Sequence, residues 1–110
     1  MAVTTFSGPV VSQNGFIVGS GATISKILSA SASLNFGSIS AASQADLTIT
    51  VTGAAAGDEV IMALPAAPAA GLVFNAFVSA ANTVTIRASN ITASPVDPAA
   101  ATYGVIVLSA

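Results

Sequence analysis

The sequence contains no histidine, no cysteine and no tryptophan. Charge is almost missing as well. Lys26 and Arg87 stand against Asp46, Asp58, Glu59 and Asp97, so charged residues make up 5%, where ordinary domains carry about 25%. Each absence excludes a chemistry. Without histidine or cysteine there is no His-based triad, no thiolate nucleophile and no ordinary structural zinc site. Two cations cannot neutralise a phosphate backbone, which excludes nucleic acid as a partner. A net charge of −2 is too small to steer a charged ligand in either direction. The lack of disulfides fits synthesis in a reducing compartment and leaves the final location open.

What is present is apolar: 54% of the 110 residues are hydrophobic, and mean hydropathy is +0.88. That length suits one domain with a real core. The longest uncharged stretch, Val60 to Ile86, is long enough to span a bilayer. It contains Pro65, Pro68, Gly71, Asn75 and Asn82, owes its apolarity largely to alanine, and lacks flanking Lys or Arg clusters. A transmembrane span is therefore rejected, and no membrane partner is expected. The first residues, Met-Ala-Val-Thr-Thr-Phe-Ser-Gly-Pro, have neither the basic region nor the apolar core of a cleavable signal.

Alanine is the commonest residue and the best helix former, yet the pattern is that of strands. Leu47, Ile49 and Val51 alternate with Thr48, Thr50 and Thr52. Val84, Ile86 and Ala88 alternate with Thr83, Thr85, Arg87 and Ser89. From Ile27 to Phe36, Leu28, Ala30, Ala32, Leu34 and Phe36 oppose Ser29, Ser31, Ser33 and Asn35. Period two marks a half-buried strand, and threonine supplies strand propensity without charge. Three further runs, Glu59 to Leu64, Leu72 to Val78 and Tyr103 to Leu108, are continuously apolar. They read as strands covered on both faces. In a small sandwich only one face is core, so the second face calls for a neighbouring subunit or a larger assembly.

Turn chemistry separates these runs at 53–58, 65–71, 79–82 and 90–101. Six regularly spaced strands from residue 27 onward predict an all-β fold. It is a small antiparallel β-sandwich, Greek-key or jelly-roll-like, over residues 27–110. Residues 1–26 differ. They carry Gly8, Pro9, Gly15, Gly19 and Gly21 among scattered apolar side chains, and read as an extended N-terminal arm with short strand pieces.

No constellation of residues supports catalysis. Asp58 and Glu59 are adjacent, so on a strand their carboxylates diverge. They read as a turn aspartate and a solvated strand-start glutamate rather than as an acid–base pair or a calcium site. A Ser–Lys dyad on Lys26 has nothing to support it; a surface lysine is the simpler reading. Gly15, Gly19 and Gly21 match no phosphate-binding fingerprint. Asn90-Ile91-Thr92 matches a glycosylation sequon of a kind that arises by chance. No cofactor, metal or small-molecule substrate is expected.

The aromatic residues are more informative. Phe36, Phe74 and Tyr103 lie in strand runs and are expected in the core. Phe77 faces away from Phe74, which puts one of the two at an interface. Phe6 and Phe16 are in the arm, where they either anchor a partner or close the end of the sandwich. Phe6, Val10, Val11, Phe16, Ile17 and Phe77 are therefore the candidate interface residues.

Phe6-Ser7-Gly8-Pro9-Val10-Val11-Ser12-Gln13-Asn14-Gly15-Phe16 resembles an N-terminal segment of virion proteins from tailed bacteriophages. Three further stretches, Leu47 to Gly57, Gly71 to Arg87 and Asn90 to Tyr103, resemble the small β domains of phage head-decoration, head-fibre and tail-associated proteins. The resemblance implies a non-enzymatic virion component, often a homotrimer, and supplies no catalytic residues. The expected function is a capsid decoration (cement) protein. It would be made in the host cytoplasm and would bind the major capsid protein on the outside of the head. The alternative is a receptor- or glycan-binding module of a tail fibre, spike or head fibre.

Overall fold

A computed structural model describes residues 3–110. Eight strands and no helix are present among them: β1 (Phe16–Ile17), β2 (Thr23–Ile24), β3 (Lys26–Leu34), β4 (Gln44–Thr50), β5 (Glu59–Ala63), β6 (Leu72–Ala80), β7 (Thr83–Asn90) and β8 (Ala101–Ser109). The last six form two antiparallel three-stranded sheets, ordered β3–β8–β5 and β4–β7–β6. They pack face to face as a small β-sandwich, as the alternating pattern predicts. Each of the six expected runs corresponds to one strand, with ends displaced by a few residues.

The winding is that of a folded ribbon. β3 pairs with β8, and β4 pairs with β7, so the chain's outward and return paths stay side by side as they pass from one sheet to the other. Even the crossing between sheets is paired. Ile39 N–H donates to Val96 O at 2.8 Å, and Val96 N–H donates to Ile39 O at 3.0 Å. This nesting is the jelly-roll arrangement, shortened to six strands.

Asn90 locks that corner. It is 2% exposed. Its Nδ2 donates to Ile39 O and to Ser94 O, both at 2.9 Å, and its Oδ1 accepts from Thr92 N–H at 2.9 Å and from Thr92 Oγ1 at 2.7 Å. Its backbone N–H donates to Ser43 O at 2.8 Å. One buried amide thus joins the 35–43 crossing to the 91–100 crossing. The sequon around it is a structural knot, and its side chain has no free nitrogen to carry a glycan.

A second knot lies at the opposite turn. Asn82 adopts a positive φ of 62° between β6 and β7, a conformation asparagine tolerates better than most residues. Its Oδ1 accepts from Gly53 N–H at 2.8 Å, and its backbone bonds Val51 and Ala54. Gly71 is required at the entry to β6. Its φ is +85°, and an added Cβ would sit 2.5 Å from Thr92 Cγ2.

The core follows from these pairings. Leu34, Ile49, Val51, Ala54, Val78, Val84, Ile86, Tyr103, Val105 and Val107 form one buried cluster. At its rim Phe36, Phe74 and Tyr103 meet with ring centroids 5.7 to 6.1 Å apart, two of the three contacts edge-to-face, the preferred aromatic geometry. All three expected core aromatics are therefore found together. Burial pushes the Tyr103 phenol above its ordinary value.

The structure identifies Asn90 as the most exacting polar position. Replacing it with alanine leaves the carbonyl of buried Ile39 and that of Ser94 without the Asn90 side-chain donor. The expected cost is roughly 2–4 kcal/mol, read as a lower urea midpoint for Asn90→Ala; an unchanged midpoint would contradict the corner lock.

Candidate functional site

Residues 3–25 of the arm precede the first sandwich strand. Residues 3–12 form no strand. A turn at Gln13 and Asn14, closed by a hydrogen bond from Ser12 Oγ to Gly15 O, leads into the β1–β2 hairpin. Gly15 carries a φ of +96° there, and a Cβ would lie 2.7 Å from Ile24 O. The molecule measures 58 Å along its longest axis and 28 × 24 Å across. A nine-residue strand spans only about 30 Å, so much of the long axis belongs to the arm.

Lys26 fastens the base of this arm. Its Nζ donates to Gly53 O at 2.6 Å and lies 3.9 Å from Asp58 Oδ2. Asp58 in turn accepts from Ala55 N–H at 3.0 Å. Asp58 is therefore a turn residue and Glu59 is exposed, as their adjacency implies. Lys26 does more than a free surface lysine would, because it closes the 53–58 turn onto the start of β3.

All six candidate interface residues are solvent-exposed in the single chain. Val10, Val11 and Phe16 lie together with Ile24 and Ile27 around a groove of about 410 Å³ at the arm's base. Val11 is 85% exposed and Phe16 60% exposed, so the arm does not close the end of the sandwich. Ile17 follows Phe16 in β1, and Phe6 lies further along the arm; both are exposed. Phe77 sits elsewhere, on the outward face of the β4–β7–β6 sheet. Phe74 is the core member of that pair, and Phe77 is the outward one.

Phe77 has a local partner. The Arg87 guanidinium carbon lies 5.1 Å from its ring centroid. Arg87 also grips Asp46 on the neighbouring strand with two parallel bonds of 2.9 Å, Nε to Oδ1 and Nη2 to Oδ2. The cross-strand register Asp46–Arg87–Asn75 sets this geometry. The hydrogen bonds from Arg87, ahead of its charge, hold the Asp46 carboxyl below its ordinary value.

The runs expected to be covered on both faces are covered on one only within the chain. Burial alternates along β5, β6 and β8. Their outward side chains, Ile61, Val73, Phe77 and Ile106, remain exposed because the fold has only two layers. On the β3–β8–β5 face the pairing aligns Ile27 with Leu108 and Glu59, and Ser29 with Ile106 and Ile61. Beside them Ser31, Gly104 and Ala63 form a row of small residues flooring a shallow concavity of about 510 Å³. Ile27, Ile61 and Ile106 thus extend the candidate surface beyond the six residues read from the sequence. The continuous apolar runs were the signal for two of them.

Among the described residues, no group of three His, Cys, Asp or Glu side chains is placed to hold a metal ion. No protein-family model matches this chain, and comparison with curated proteins and with solved structures finds no match. The surface itself is what bears on function. It has an apolar arm, two outward faces rich in Thr and Ser, and one exposed bidentate ion pair.

That ion pair sets a pH dependence. Because the folded Asp46 pKa lies below its unfolded value, the pair's contribution is full above the unfolded pKa and is lost as pH falls through the folded one. The urea midpoint of Asp46→Asn should fall below the parent's at neutral pH, and the gap should close in acid beneath the usual carboxylate range. A gap that persists unchanged at the acid end would contradict this assignment.

Proposed function

We propose that this chain is a non-enzymatic decoration protein of a tailed-phage head, bound to the outer face of the capsid lattice through its N-terminal arm. The observation that carries the reading is the arm itself. Val3, Phe6, Val10, Val11, Phe16, Ile17 and Val18 are all exposed on a segment that projects from a packed domain. Burying such side chains in a partner gains roughly 1.5–3 kcal/mol each when burial is complete. Seven in one segment are far more than scattered surface apolar residues need.

The rest of the molecule suits that role. A cement protein must be a durable domain that tolerates close packing, and 5% charge leaves few ions to desolvate on assembly. The resemblance of the Phe6–Phe16 segment to phage virion proteins points the same way. The partner is then the major capsid protein, and the working location is the capsid surface after synthesis in the host cytoplasm. The glycan-binding alternative wants an exposed aromatic face beside polar groups. The one aromatic on either outward sheet face, Phe77, has Arg87 over its ring.

A variant lacking residues 1–24 should keep the β-sheet circular dichroism of the parent and fail to co-sediment with undecorated capsid shells. In the full chain, Phe6→Ser with Phe16→Ser should weaken shell binding at least tenfold without shifting the urea midpoint. Shell binding at parental strength by both variants would overturn the proposal.

A further inference from the structure

The two sandwich sheets have four edge strands: β3 and β5 on one, β4 and β6 on the other. An open edge presents a row of unpaired N–H and C=O groups, and proteins ordinarily guard such edges with charge, proline, a bulge or shortness. Three of the four are guarded. β4 carries Asp46 at its centre. β5 is five residues long, starts at Glu59 and runs into Pro65. β6 is broken by a bulge between Val78 and Ala80. β3 has none of these devices. It runs nine residues, Lys-Ile-Leu-Ser-Ala-Ser-Ala-Ser-Leu, without proline, glycine or bulge. Its single charge, Lys26, lies at one end of the strand.

From this unguarded edge we infer that β3 is a two-fold docking strand that pairs antiparallel with β3 of a second copy of this chain. The result is a continuous six-stranded sheet in the order β5–β8–β3–β3–β8–β5. The strand is complementary to itself. With the two-fold axis at Ala30, all nine residues pair, and each side chain meets one on its own face of the sheet. Ser29 lies opposite Ser31 of the second copy, Leu28 opposite Ala32, Ile27 opposite Ser33, and Lys26 opposite Leu34. The large Leu28 and Ile27 meet the small Ala32 and Ser33, Lys26 meets Leu34 at each end, and no like charges face each other. The two Lys26 residues are separated by about 27 Å along the strand.

Two observations favour this occupant. The inward side chains Leu28, Ala30 and Ala32 are only half-buried in the single chain, because β3 has no neighbour on its free side. A second β3 covers that rim. Its small Ser and Ala side chains also let a strand approach along the whole edge. Nine pairs supply about eight to ten backbone hydrogen bonds. The contact is isologous and closes at two copies, which separates it from the trimer that the family resemblance implies. It does not depend on capsid binding, although a dimer carries two arms and would hold a lattice more tightly than one.

The register makes the test specific. Sedimentation of the full chain between about 1 µM and 1 mM, a span suited to contacts of this size, should show dimers. Ser29→Glu with Ser31→Glu places like charges opposite each other twice across the axis, and should weaken association at least tenfold. Ser29→Lys with Ser31→Glu makes the same positions attractive and should restore it. Both sites are exposed on the outward face, so circular dichroism should match the parent. The cysteine-free sequence offers an independent readout. Under mild oxidation Ala30→Cys, which lies opposite itself, should cross-link two chains. Ser33→Cys, about 20 Å from its own copy, should not. A parent that stays monomeric or forms trimers would overturn the inference, as would equal cross-linking by the two thiol variants.

Discussion

Pairing between the outward and return paths of the chain, carried round the corner between the sheets, is the constraint on which this fold rests. Strands β3 and β4 are held by β8 and β7, and the link between the two pairs is the Ile39–Val96 bridge with the Asn90 amide beside it. Beside that link, the apolar core and the bond from Lys26 to Gly53 O set the relation of the two sheets. The core side chains are mostly Val, Ile, Leu and Ala, which pack well but specify position weakly. Backbone pairing and two buried or turn asparagines supply the specificity that charge supplies in other proteins.

Much of this was legible in the sequence. Three sandwich strands were marked by Thr and Ser alternating with Val, Ile, Leu and Ala, and the other three by continuous apolar runs set between turns. The aromatic trio was legible because Phe36, Phe74 and Tyr103 each lie in a strand run; which of Phe74 and Phe77 points inward was not, because their run is apolar on both phases. Strand partners were not, because nothing local distinguishes β8 from β5, both continuously apolar, as the neighbour of β3. Asn90 was hidden too. Its pattern reads as a sequon, and only the return of the chain past Ile39 and Ser94 shows what its amide does. Lys26 likewise gains its partner, Gly53 O, from a turn 27 residues away.

The continuous apolar runs carried a different kind of information. They imply cover on both faces, and a two-layer chain covers only one. The difference between pattern and fold is left on the surface as Ile27, Ile61, Val73, Phe77 and Ile106, together with the arm. Low charge has the same meaning. With 5% charge the surface holds few ions to desolvate where a neighbour covers it. The proposed head-decoration role and the β3 edge pairing are two ways of completing a molecule whose own fold stops short.

The most direct measurement is electron cryomicroscopy of the assembled phage particle at a resolution that traces strands. The account predicts this sandwich on the outer face of the head, in copies repeated with the capsid lattice, with the Phe6–Phe16 segment lying against the shell. A handful of copies confined to the tail, or lattice copies whose arms touch nothing, would contradict it.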